Sequence, residues 1–205
     1  MRIAVFARAP VAGSVKTRLA ALLGDEGAAA LHARLARHAI AAAVESGVGG
    51  VELWCAPDES HPFFASCAVR HPVSLRRQSG ADLGERMRHA IRSSLDDGEA
   101  MVLIGSDCPA IDSTVLRAAA GALASHDAVF APAEDGGYAL VGLSKDAPHL
   151  FEGIEWGGTS VMDETRSRLG HSGLRWKELG TLWDVDRPED YARLEREGWL
   201  ARMGA

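Results

Sequence analysis

Short apolar runs alternate with longer helix-forming stretches along the whole chain, and this alternation restricts the fold more than any other feature of the sequence. Arg2-Ile-Ala-Val-Phe-Ala7 reads as an opening strand. The Ala- and Leu-rich stretch from Thr17 to about Val44 reads as a helix, with a break near Gly24-Asp25. Val51-Glu-Leu-Trp-Cys55 is a second strand and Val73 to Arg77 a third. A helix from Asp82 to about Leu95 follows, with Asp82 and Glu85 at capping-box spacing. Met101-Val-Leu-Ile104 is apolar throughout, as a strand must be when helices cover both faces of its sheet. Asp112 caps a helix to about Leu123, and Ala128-Val-Phe-Ala131 is a strand. Tyr138-Ala-Leu-Val-Gly-Leu143 lies close enough behind it to form a hairpin or an adjacent antiparallel pair. Thr159 or Ser160 can cap a helix to about Leu169, and Pro188 suits the first position of a last helix ending near Arg196. The pattern predicts one α/β domain over residues 1–205, with a mainly parallel sheet and antiparallel pieces towards the C-terminal half.

Charge and cysteine content remove several classes of function. Twenty-two Lys and Arg stand against 28 Asp and Glu, a net charge of -6, so no broad basic field attracts a nucleic-acid backbone. A small anionic ligand is still compatible, because a few local cations and backbone amides outweigh a weak global field at short range. Cys55, Cys67 and Cys108 are odd in number and lack C-x-x-C spacing, so they read as small buried hydrophobes and not as a disulfide framework or zinc site. The apolar run after Met1 is too brief for a signal-peptide core, and no stretch approaches the roughly 20 apolar residues of a membrane span. The expectation is a cytoplasmic protein.

In open α/β sheets ligands bind beyond the carboxyl ends of the strands, so unusual residues just after strands carry the functional reading. The first such place is Arg8-Ala-Pro-Val-Ala-Gly-Ser-Val-Lys-Thr-Arg18, where Gly13 permits close backbone approach and Lys16, Thr17 and Arg18 begin a helix, an arrangement suited to phosphate. It is not a P-loop, because Val15 precedes Lys16 and Ala9 stands where a glycine is needed. With a single glycine it is not a dinucleotide fingerprint either, and by itself it is equally a surface turn with solvated cations. The second place is Ile104-Gly-Ser-Asp-Cys-Pro109, where Pro109 stiffens the exit and aims Asp107 as a hard divalent cation requires of a ligand. Asp107 could equally hydrogen-bond its own turn, and the segment does not complete G-x-S-x-G. The third is Pro132-Ala-Glu-Asp-Gly-Gly-Tyr138, where Gly136 and Gly137 suit either a turn or close ligand approach, and Tyr138 either stacks on a sugar or base or packs in the core. Late in the chain, Trp183-Asp-Val-Asp-Arg-Pro-Glu-Asp190 carries Asp184 and Asp186, which an extended segment projects to one side. The competing role for Asp186 is a helix N-cap, with Glu189 three residues on.

These segments, with Gln78-Ser-Gly-Ala-Asp-Leu-Gly-Glu-Arg86, together resemble the nucleotide-dependent transferases of the glycosyltransferase A fold, in particular small bacterial glycosyltransferase-like proteins of the DUF2064 type. The resemblance spans nearly the whole chain. It implies a Rossmann-like three-layer α/β/α sandwich of the nucleotide-diphospho-sugar transferase kind. Arg8, Ala9, Gly13, Lys16, Thr17, Arg18, Gln78 and Asp82 would hold the nucleotide, and Asp135, Gly136, Gly137 and Tyr138 the acceptor. Mg²⁺ or Mn²⁺ would bridge the phosphates to Asp107 and to Asp186 or Asp184, with Asp107, Lys16 and, as general base, Asp135 in catalysis. Two features divide the resemblance. Sugar transferases of this fold usually carry Asp-x-Asp at the metal strand, whereas Ser106-Asp107-Cys108-Pro109 supplies one acid, as in nucleotidyltransferases that guanylylate or cytidylylate a small acceptor. The opening loop lacks the Gly-Gly and Arg-Met-Gly signature of many nucleotidyltransferases, such as those of molybdenum-cofactor synthesis, although Lys16-Thr-Arg-Leu19 resembles lactyl-phosphate guanylyltransferases. The leading expectation is therefore transfer of a sugar from a nucleotide sugar to a small acceptor. The alternative is transfer of a nucleotidyl group from an NTP to a phosphorylated or acidic acceptor. A degenerate nucleotide-binding module is the third reading, and the presence of Asp107, Asp184 and Asp186 argues against it. The implied partners are small molecules, with no nucleic acid and no membrane span; a homodimer is compatible with all of this.

Overall fold

A computed structural model describes residues 1–203, and its seven strands form one sheet in the order β3-β2-β1-β4-β6-β5-β7. The strands are β1 (Arg2–Arg8), β2 (Gly50–Ala56), β3 (Val73–Arg77), β4 (Met101–Gly105), β5 (Ala128–Pro132), β6 (Tyr138–Leu143) and β7 (Trp176–Glu178). The helices are α1 (Ala20–Ser46), α2 (Pro62–Arg70), α3 (Leu83–Asp96), α4 (Ser113–Leu123), α5 (Val161–Ser172), α6 (Pro188–Arg196) and α7 (Trp199–Arg202). Period-two alternation divides the sheet residues between its faces. Ile3, Val5, Leu53, Val102 and Ile104 pack against α1, α2 and α4. Ala4, Phe6, Trp54, Met101 and Leu103 pack against α3 and α5. The result is the three-layer α/β/α sandwich that the sequence predicts.

Local signals set most boundaries. Asp82 accepts from the Glu85 amide at 2.8 Å and starts α3, and Asp112 accepts from the Thr114 and Val115 amides and starts α4. The predicted break in α1 falls at Gly24, whose φ of 70° and ψ of 166° interrupt the helix. Three elements were not foreseen. The short helix α2 holds its place through Phe63, Phe64 and Cys67 buried in the sheet face, a pattern too brief to show a period. The three-residue strand β7 exists only through its pairing with β5, and α7 packs back on the N-terminal half of α1. All three cysteines are buried free thiols. Among the described residues no helix is long and apolar enough to cross a membrane.

One topological detail positions the site. The strands β1 to β4 are mutually parallel, β6 runs antiparallel to both β4 and β5, and β5 is parallel to β7. Reversal of β6 places its first residue, Tyr138, and the loop before it at the same edge as the carboxyl ends of β4 and β5. Asp107 and the segment 133–138 are thereby neighbours although the chain between them builds a helix and a strand.

Candidate active site

The loop after β1 is strained and closed around one side chain. Lys16 has φ 49° and ψ 38°, and among the described residues it alone departs from glycine in the positive-φ region. Such a conformation costs on the order of 1 kcal/mol and persists where the surroundings over-determine it. Here buried Val15 and Leu19 anchor the chain on either side, and the Lys16 side chain is only 4% exposed. Its Nζ lies 3.0 Å from Asp107 Oδ2 at the exit of β4. His32, buried on α1, donates from Nε2 to the Arg8 carbonyl at 3.0 Å and presents Nδ1 to Asp107 Oδ1 at 3.6 Å. Burial works to raise the Asp107 pKa, but the Lys16 charge and the His32 imidazole outweigh it and hold the carboxyl far below the ordinary range. Asp107 is thus an anion at neutral pH, its Oδ1 buried without a hydrogen-bond partner while the side chain stays 45% exposed to the cleft.

Backbone hydrogen bonds bring the late acidic segment to this point. Val185 donates to the Asp107 carbonyl at 3.0 Å, Leu182 to Pro132 at 2.8 Å, and Glu134 to Leu182 at 2.9 Å. Val185 itself is fully buried, so the flanking Asp184 and Asp186 both reach the cleft. Asp186 forms an ion pair with Arg18. It is not the N-cap of α6: that position is Arg187, and Asp190 Oδ2 accepts from the Asp186 and Arg187 amides at 3.0 and 2.7 Å. Asp184 has its pKa pushed up to about 6, first by burial and then by the charges of Asp135 and Asp107.

The cleft over the carboxyl ends of the strands has a cationic and an acidic half. A cavity of about 560 Å³ is lined by Arg8, Lys16, Thr17, Arg18, Gln78 and Arg86 together with Asp107 and Asp186. A more open cavity of about 970 Å³ adjoins it through Arg8, Gln78 and Arg86 and adds Ala9, Val11 and Arg77. Among the described residues no carboxylate forms an ion pair with Arg8, Arg77 or Arg86. The Gln78 amide nitrogen donates to the Trp54 carbonyl at 2.8 Å, which fixes that side chain at the rim. On the other side of Asp107, a cavity of about 260 Å³ is lined by Asp107, Asp135, Asp184, Gly137, Tyr138, Trp156 and Cys108. Asp107, Gly105 and Leu83 line both halves.

Most of the sequence-derived site residues converge here, and four have a structural role besides or instead of lining the cleft. Asp82 is occupied in capping α3 and lines none of these cavities. Gly13 turns the first loop with φ 75° but lies behind the cleft wall, opposite Asp25. Gly136 is a glycine because a Cβ there would lie 2.0 Å from the Thr159 carbonyl oxygen, so it seats the hairpin loop and does not line the cavity on that side of Asp107. Tyr138 is a wall residue, edge-on to Phe130 and Trp156, with a buried hydroxyl that has no partner. Asp135 Oδ1 accepts from the Gly137 amide at 2.8 Å, and the carboxylate is otherwise open to the cleft. Sequence reasoning missed His32, Leu83, Arg86 and Trp156. His32 is a single imidazole in an Ala-rich helix, and only the burial of that helix face against Asp107 distinguishes it.

The donors present also test the metal expectation. Among the described residues no three His, Cys, Asp or Glu side chains group closely enough to hold an ion by themselves. The half-exposed Asp107 carboxylate beside the cationic cavity, with Asp186 lining the same cavity, would suit instead a cation that takes one or two carboxylates and completes its shell with phosphate oxygens and water, the usual mode of Mg²⁺.

The family described as "Uncharacterized protein conserved in bacteria (DUF2064)" matches residues 39–158, more than half of the chain. The chain belongs to this family. A protein of Desulfovibrio desulfuricans G20, named as a candidate nucleotide-diphospho-sugar transferase, is 32% identical over 96% of this chain and 87% of its own, with a TM-score of 0.84. A nucleotidyl transferase from Methanothermobacter thermautotroptrophicus matches in fold, with 15% identity over 98% of this chain and 99% of its own and a TM-score of 0.66. So does the 4-diphosphocytidyl-2C-methyl-D-erythritol synthase of Anaerococcus prevotii DSM 20548, with 11% identity over 97% of this chain and 96% of its own and a TM-score of 0.63. No curated protein matches the chain. The family and the nucleotide-diphospho-sugar transferase fold are those that the sequence resemblance implies.

Proposed function

We propose that the chain transfers a sugar from a nucleotide sugar to a small acceptor, with Mg²⁺ or Mn²⁺ at Asp107. The carrying observation is that one carboxylate, Asp107, stands at the junction of a cationic cavity and an acidic one. A nucleoside diphosphate suits the first, with its phosphates against Lys16, Arg18 and the start of the short helical turn Thr17–Leu19, and its nucleoside between Arg8, Val11, Arg77 and Gln78. When bound, the cation neutralises charge on the diphosphate oxygens. Lys16 and Arg18 share the charge that grows there as the bond from the anomeric carbon to phosphate oxygen breaks and its electron pair leaves with the nucleoside diphosphate. The acceptor hydroxyl oxygen bonds the anomeric carbon, and its proton passes to Asp135 or Asp184, the carboxylates on the acceptor side. Burial and the charge of Asp135 push the Asp184 pKa up to about 6, so Asp184 is suited to take up a proton near neutrality.

A second reading, nucleotidyl transfer from an NTP, is favoured by one observation: the exit of β4 carries the single acid Asp107 between Ser106 and Cys108. Thermal stabilisation by a panel of nucleoside triphosphates and nucleotide sugars, each with and without Mg²⁺ or Mn²⁺, separates the two. A metal-dependent rise in Tm led by nucleotide sugars supports glycosyl transfer, and one led by a triphosphate supports nucleotidyl transfer. No rise with any of them rejects both.

A further inference from the structure

The acidic half of the cleft restricts the chemistry of whatever enters it. Its cavity of about 260 Å³ has an apolar wall of Leu83, Met87, Tyr138, Trp156 and Val161, and among the described residues its charged lining is Asp107, Asp135 and Asp184. Lys16 pairs with Asp107, and Asp135 accepts from the Gly137 amide, so three carboxylates face this half against the single charge of Lys16 and leave it negative. The wall is held in place. A Cβ at Gly84 would lie 2.5 Å from Trp156 Nε1, so α3 packs directly on the indole, which in turn meets Tyr138 edge-on at 6.2 Å. Trp156 Nε1 and Tyr138 Oη are both buried without a partner, two unspent donors beside the cavity.

We infer that this half takes an uncharged acceptor with a flat or compact apolar body and a free hydroxyl, and turns away phosphorylated and carboxylated molecules. The inference rests on the transferase reading for the word acceptor, while the ligand class follows from the cavity alone. An anion placed between Asp135 and Asp184 meets like charge in a partly desolvated site, where Coulomb repulsion is several times its value in water, while Arg18 and Arg187 stand on the far side of these carboxylates. An aromatic or alicyclic body has the opposite preference, because it covers apolar wall and gains edge or face contacts with Trp156. The same argument counts against the phosphorylated or acidic acceptor of the nucleotidyl-transfer alternative.

Saturation-transfer NMR titration of the full chain with 4-hydroxybenzyl alcohol, 4-hydroxybenzoate and phenyl phosphate tests this. The alcohol is expected to bind about tenfold more tightly than either anion. The double variant Asp135→Asn, Asp184→Asn should gain about tenfold in affinity for 4-hydroxybenzoate, a gain that misfolding cannot mimic. Equal or tighter binding of either anion to the parent, no binding of the alcohol, or no gain in the double variant overturns the inference. The nucleotide panel run on the same protein keeps the two ideas apart. Nucleotide binding with an anion preferred rejects the ligand class alone, whereas alcohol binding without any nucleotide binding rejects the transferase reading and leaves the ligand class standing.

Discussion

The two halves of the cleft are built in different ways. The cationic half stands on the ends of parallel strands and one short loop, and its central side chain is fixed by strain and burial: Lys16 in a left-handed conformation, closed over by Val15 and Leu19, aimed at Asp107. The acidic half is gathered from the loop 133–137, the segment around Trp156 and the strand-like segment 182–186, tied together by a few backbone hydrogen bonds. One half pairs its two cations nearest the carboxylates, Lys16 with Asp107 and Arg18 with Asp186, and among the described residues leaves Arg8, Arg77 and Arg86 without an ion pair. The other gathers carboxylates around Asp184, whose pKa burial and the charges of Asp135 and Asp107 raise. A paired, buried cation is organised before ligand arrives and costs nothing to reorient, whereas clustered carboxylates store a tendency to take up a proton. The difference matches a division of labour between holding a leaving group and receiving a proton.

The sharpest way to break this picture is at the residue that joins the halves. Asp107→Asn should cut turnover about a thousandfold and abolish the metal-dependent rise in Tm, since it removes the anion shared by both cavities. Steady-state kinetics with the best donor of the panel, beside circular dichroism to show the fold is kept, gives the answer; unchanged metal dependence would remove Asp107 from the site. Gly136→Ala attacks only the acidic half. A methyl 2.0 Å from the Thr159 oxygen at a φ of 93° should destabilise the protein by about 3 kcal/mol in urea unfolding, while nucleotide affinity of the folded fraction is kept. If nucleotide binding falls in step with stability, the halves are not separable units.

Lys16→Ala and Arg18→Ala attack only the cationic half, each weakening nucleoside diphosphate binding about tenfold while a nucleoside without phosphate barely changes, as calorimetric titration would report. Equal affinity in variant and parent would make the first loop no more than a turn. The smallest effect is expected at Asp184. Its pKa is raised from 3.8 to about 6, so the folded state binds this proton before the unfolded state does, and between those values stability falls as pH rises. Asp184→Asn should therefore stabilise the protein by about 1 kcal/mol at pH 8, discounted for its partial exposure, with the gain vanishing as pH drops below the unfolded value. A stability difference that does not change with pH would mean that the carboxylates of this half do not interact.

Much of this was readable in the amino-acid order, because it depends on neighbours in the chain. The wholly apolar Met101 to Ile104 marks a strand covered on both faces, Asp82 and Asp112 start their helices from the side chain alone, and Gly24 breaks α1 where it stands. The segment after β1, the acid after β4 and the late Asp-x-Asp were visible as chemistry at the ends of strands. Their mutual placement was not. The reversal of β6 carries Tyr138 back to the edge where Asp107 emerges, and Val185 bonds to the carbonyl of a residue far earlier in the chain. Only those long-range hydrogen bonds decide that Asp184 faces the acidic cavity, that Asp186 meets Arg18, and that a histidine in an Ala-rich helix backs the central carboxylate. Local order specifies which side chains are available at a strand end, since capping, turn formation and periodic burial act over a few residues. Charge compensation, exposure and pKa depend on what is within a few ångströms in space, and for Lys16, His32, Asp107 and Asp184 that neighbourhood is assembled by the packing of the whole sheet.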